Sequence, residues 1–67
     1  MTLPTTLSPR QLEILQLLVV GLSSREIGAR LGVSKGTVDG AKSMVFNKLG
    51  ANTVAEAIGA ARRQGLA

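Results

Sequence analysis

Hydrophobic positions along the chain recur at helical spacing and are broken at regular intervals by glycine. Ile14, Leu15 and Leu18 fall on one face of a helix. Ile27 and Leu31 repeat that pattern, and Val38, Val45, Phe46 and Leu49 extend it, with Ala41 and Lys42 between the turns. No segment alternates with a period of two, so no strand is expected. Start and stop signals bracket each apolar run. Ser8-Pro9-Arg10-Gln11 has the form of a capping box with proline at the first helical position. Leu7 and Leu12 are placed to form its hydrophobic staple. The first helix is predicted from about Pro9 to Val20 and ends at Gly21. Ser23-Ser24-Arg25-Glu26 is a second capping box, opening a short helix from about Ser24 to Leu31 that stops at Gly32. Ser34 caps a third helix that runs to Leu49 before Gly50. Asn52 or Thr53 caps a fourth, which runs to about Arg63. Gly65 ends it, and Leu66 follows as the hydrophobe of a Schellman stop.

This pattern predicts an all-α fold, a four-helix bundle built from residues 7–67. Met1 to Thr6, with Pro4 and three threonines, reads as a flexible N-terminal tail. Size limits the core. A domain of this length buries only about 60% of the surface its unfolded chain exposes. The longest apolar run, Leu17 to Val20, is far short of the roughly 20 residues that span a bilayer. No membrane association is expected, and a cytoplasmic location follows as the expectation.

Composition removes most chemistries. The chain has no cysteine and no histidine, which excludes disulfide frameworks, the common metal sites and histidine-dependent triads. Its four acidic residues, Glu13, Glu26, Asp39 and Glu56, occupy separate helical positions and make no catalytic constellation. An enzyme is not expected, nor is a cofactor. Eight lysines and arginines give a net charge of +4, which suits an anionic partner.

The segment from Ser24 to Leu49 carries the functional signal. A short helix meets a longer one across Gly32-Val33-Ser34, the sequence shape of a helix-turn-helix. Gly28 is small where the two helices would cross. Ile27, Leu31, Val33 and Val38 would form the apolar wedge between them. The longer helix would then present Lys35, Gly36, Asp39, Gly40, Lys42, Ser43 and Asn47 outward. In such units the second helix enters the major groove of DNA.

With these residues in place, the chain resembles the LuxR-type (GerE-like) DNA-binding domain. The resemblance rests on Leu7-Ser8-Pro9-Arg10-Gln11-Leu12-Glu13-Ile14-Leu15 and on Gly21 to Gly28. Ser34-Lys35-Gly36-Thr37-Val38, Lys48-Leu49-Gly50 and Asn52 to Ala57 continue it in register, so it covers Leu7 to Leu66. It implies a four-helix module of a bacterial transcription regulator that binds duplex DNA as a dimer. It also implies roles. Thr37 and Lys48 would contact phosphate, and Asp39, Gly40 and Ser43 would face base edges; Lys35 and Lys42, by their charge on the exposed side of the same helix, would add phosphate contacts. A homodimer would form through Val54, Ala57, Ile58 and Ala61 of the fourth helix, although that face could instead simply cover the core.

The chain departs from the family at the recognition helix. The family carries Thr-Val-Lys, one variable residue, then histidine; here the sequence is Thr37-Val38-Asp39-Gly40-Ala41. A carboxylate is repelled by phosphates but accepts a hydrogen bond from cytosine N4. Asp39 is equally placed to pair with Lys35 or Lys42 along the helix. Gly36 and Gly40 each weaken the helix, by roughly 1 kcal/mol relative to alanine. Leu12, Gln16 and Val20 form a stripe on the first helix, away from Ile14 and Leu18. Leu12 is either used by its staple or part of a surface for a protein partner or a missing sensor domain. The alternative to DNA binding is therefore a protein-interaction module that binds a transcription factor or RNA polymerase. The chain reads equally well as a whole regulator or as one domain of a longer one.

Overall fold

A computed structural model describes residues 7–66. The expected tail, Met1 to Thr6, and the last residue, Ala67, lie outside the described residues. Four helices follow in order: α1 (Pro9–Val20), α2 (Ser24–Leu31), α3 (Lys35–Leu49) and α4 (Val54–Arg63). There is no strand among the described residues.

Local chemistry sets these boundaries. Both capping boxes are complete. Gln11 N donates to Ser8 Oγ at 3.1 Å, and Ser8 N donates to Gln11 Oε1 at 3.0 Å. Ser23 and Glu26 exchange the same two bonds at 3.2 and 2.8 Å. Ser34 Oγ accepts from Thr37 N at 3.1 Å at the start of α3. Thr53 is the cap of α4, accepting from Glu56 N. Glu56 reaches back one residue further than a capping box would and accepts from Asn52 N at 2.7 Å. At the far ends, Gly21, Gly32, Gly50 and Gly65 all have positive φ, the conformation glycine adopts without a Cβ clash. At the last of these, Leu66 N donates to Ala61 O and Gly65 N to Arg62 O, the paired bonds of a Schellman stop.

The core has two clusters. Leu7, Leu15, Val45, Ala61 and Leu66 form the first, with Leu12, Val19, Phe46 and Leu49 packed on it. Ile14, Leu18, Ile27 and Val38 form the second, covered by Leu22, Leu31, Val33 and Ala41 among others. Phe46, the single aromatic, packs against both. The predicted wedge of Ile27, Leu31, Val33 and Val38 is therefore present in the second cluster. Leu12 lies half-buried against the cluster that holds Leu7, as a staple requires. Gln16 and Val20 are exposed, Val20 at 74%.

Packing divides the residues expected to form a dimer patch on α4. Ala57 and Ala61 are buried, at 1% and 0% exposure, and lie on the inward side. Their small side chains let α4 lie close against the rest of the bundle. Val54 remains exposed and Ile58 half-buried, so only these two of the four are placed toward the surface.

Candidate nucleic-acid interface

The angle between α2 and α3 depends on close backbone contact. A Cβ placed on Gly28 would lie 2.6 Å from Val33 O, inside any normal contact distance. Val33 N donates to Gly28 O at 2.9 Å across the same spot. Gly32, at φ 73°, turns the chain between the helices. The connection is thus too tight for a side chain at Gly28, and it holds α3 as a rigid neighbour of α2.

Along its outer side α3 exposes Lys35, Gly36, Thr37, Gly40, Ser43, Asn47 and Lys48. Asp39 and Lys42 are half-buried. Ala41 turns the other way and packs on the second core cluster. Alanine therefore stands half-buried against the core where the resemblance leads one to expect histidine.

The three lysines of α3 are each bonded inside the domain. Lys35 Nζ donates to Asp39 Oδ2 at 2.7 Å. Lys42 Nζ donates to Ser24 Oγ at 3.1 Å, and Lys48 Nζ to Gln11 Oε1 at 2.9 Å. Hydrogen bonds from Lys35 and then from Ser24, opposed by slight desolvation, hold the Asp39 carboxyl below its ordinary range. A chain of polar groups therefore runs Lys35, Asp39, Ser24, Lys42 across the α2–α3 junction. Thr37 Oγ1 lies 3.0 Å from the capping hydroxyl of Ser34.

The sequence placed Lys35, Lys42, Lys48, Asp39, Gly40 and Ser43 on α3, where all six lie: Lys35, Asp39, Lys42 and Ser43 share one side, whereas Lys48 falls one heptad after Ala41 and reaches α1. It did not reveal the roles of Ser24 and Gln11 as anchors for the lysines. Both are buried polar residues, at 7% and 9% exposure. Their only local signal was a place in the capping segments, because the partners lie 18 and 37 residues away.

The family model described as bacterial regulatory proteins, luxR family, matches residues 5–61. The chain belongs to that family. Among its relatives, the Fimbriae Z protein of Escherichia coli (strain K12) is 44% identical over 54 residues, which cover 81% of this chain and 26% of that protein. The transcriptional regulatory protein YdfI of Bacillus subtilis (strain 168) is 37% identical over 62 residues, covering 92% and 29%. A crystal structure of the response regulator ChrA, of a heme-sensing two-component system, is 41% identical and superposes with a TM-score of 0.89. It is matched over 98% of this chain and 33% of that one. The chain thus spans about a quarter to a third of the length of these relatives. The all-α LuxR-type fold is established by this match, and with it a regulatory module rather than an enzyme.

Proposed function

We propose that this domain binds duplex DNA sequence-specifically, places α3 in the major groove and so regulates transcription. The observation that carries the reading is the α2–α3 unit, fixed by the Gly28 contact, with a cationic and hydroxyl-bearing side of α3 turned outward. Family membership and relatives named as regulators support it. Thr37, Lys35, Lys42 and Lys48 position the domain on phosphates. Asp39, Gly40 and Ser43 face base edges: Asp39 accepts from cytosine N4, Ser43 reads either donors or acceptors, and Gly40 admits close backbone approach. Two copies associate through the exposed part of α4 around Val54 and Ile58, so that an inverted repeat in the DNA mirrors the twofold axis. The module works in the cytoplasm of a bacterial cell; among the described residues no helix is long and apolar enough to cross a membrane.

The test is a titration with random and with genomic DNA at two salt concentrations. The expected result is salt-sensitive binding to both, with enrichment of particular genomic fragments. No affinity even at low salt would remove the reading. The exposure of Val20 on α1 favours a second one, a surface for a protein partner or for a sensor domain joined to this one. On that reading Val20→Glu leaves DNA binding intact and abolishes association with that partner.

A further inference from the structure

The acceptors that hold the three lysines of α3 are not alike. Ser24 Oγ and Gln11 Oε1 are neutral, so they orient Lys42 and Lys48 without cancelling their charge. Asp39 is anionic, and at 2.7 Å it neutralises Lys35. Both members of this pair stay about half exposed, with side-chain exposures of 59% and 43%. The pair therefore lies on the outer surface and plays no part in the core. It is also easily opened. An exposed ion pair is weak, and lysine preceding the acid by four residues is the weaker helical orientation. Asp39 also accepts a hydrogen bond from the Ser24 side chain, a partner that does not depend on Lys35.

Resting on the DNA-binding reading, we infer that Asp39 is a specificity-determining residue that acts as a built-in phosphate mimic. It occupies Lys35 in the unbound domain, and DNA must displace it. On a random duplex Lys35 exchanges one anion for another, and Asp39 is left unpaired and facing the phosphates. The exchange yields little. On a site that presents a base amino group to Asp39, the released carboxylate regains a donor and Lys35 keeps its new phosphate contact. Asp39 thus lowers affinity for random sequence more than affinity for the proper site.

The test is Asp39→Asn, made in the native chain and in a Lys35→Gln background. Asp39→Ala serves as a second variant, and thermal melting checks the fold of each. Binding to a random duplex, and to a duplex selected from a random pool by the native protein, is followed across a salt series. Asp39→Asn is expected to bind the random duplex roughly three- to tenfold more tightly, and to steepen the plot of log affinity against log salt by about 0.9. The ratio of selected to random affinity is expected to fall. In the Lys35→Gln background the gain is expected to be smaller, because no pair remains to be broken and only the repulsion between Asp39 and the phosphates is relieved. An unchanged random-duplex affinity and slope would overturn the inference, and so would an equal gain in both backgrounds, which would mean simple repulsion of phosphate by Asp39. Loss of the DNA-binding reading looks different: neither the native protein nor any variant then binds at low salt.

Discussion

Single atoms decide two properties of this domain. The first is the missing Cβ of Gly28. Gly28→Ala would push a methyl group to 2.6 Å from Val33 O, a backbone atom that cannot swing away. The substitution is expected to destabilise the domain by about 2 kcal/mol or more, read by urea unfolding, although alanine is the better helix former. Stabilisation by Gly28→Ala would refute the close crossing. The second is the carboxylate of Glu26. Hydrogen bonds from the Ser23 backbone, then from the Ser23 side chain, hold it below its ordinary value of 4.5. Its contribution to stability is therefore complete above that value and is lost as the pH falls through the lower folded one. Glu26→Gln should remove this component, and its melting temperature should change less on acidification than that of the native chain. The reach of sequence reading is visible at the same scale. Ser23 and Glu26 are three residues apart, so their bond follows from spacing alone. Gln11 and Lys48 are 37 apart, and only the packing of α1 on α3 brings them within 2.9 Å.

Among the elements, α3 combines two interior glycines with the central functional position. Gly36 and Gly40 are held in helical conformation without any steric need. A Cβ on Gly40 would meet nothing within 4 Å, and one on Gly36 only the Ser34 hydroxyl at 3.9 Å. Gly40→Ala is thus expected to stabilise the domain by about 1 kcal/mol and to raise its melting temperature by roughly 4–8 °C. If Gly40 approaches base edges as proposed, the same methyl group lowers DNA affinity, so stability and binding move in opposite directions. Increased affinity would show that the residue stands clear of the groove. The fourth helix marks where element-level reading ran out. Its apolar residues form one stripe at helical spacing, within which Ala57 and Ala61 are buried, Ile58 is half-buried and Val54 is exposed. Spacing alone does not say which residues of one stripe are covered, and that information lies in the packing of α1 and α3.

At the scale of the whole molecule, stability rests on few side chains. A chain of this length has roughly 3–10 kcal/mol to lose. Phe46 joins the two core clusters, which otherwise share no buried residue. Phe46→Ala is expected to cost about 3 kcal/mol, somewhat less than the upper range for a fully buried aromatic. Circular dichroism melting should show a much lower midpoint, or no cooperative transition at all. A loss below about 1 kcal/mol would mean that the clusters hold together without it. Order, number and bounds of the helices were legible because caps and glycines are local signals. The division of the core into two clusters was not, since Phe46 carries no mark of touching both.

One consequence follows from the membership of the first cluster. Leu7, ahead of α1, and Leu66, after α4, belong to the same group of packed side chains. The path from one to the other is a circuit that returns to its origin. The chain could be rejoined there and reopened at the exposed Asn52 between α3 and α4, with the neighbours in space unchanged. Leu7 and Leu66 thus bring the start of α1 and the exit of α4 into one cluster. A force applied between the two ends would pull first on the contacts around Leu7 and Leu66, leaving the helix-turn-helix until later.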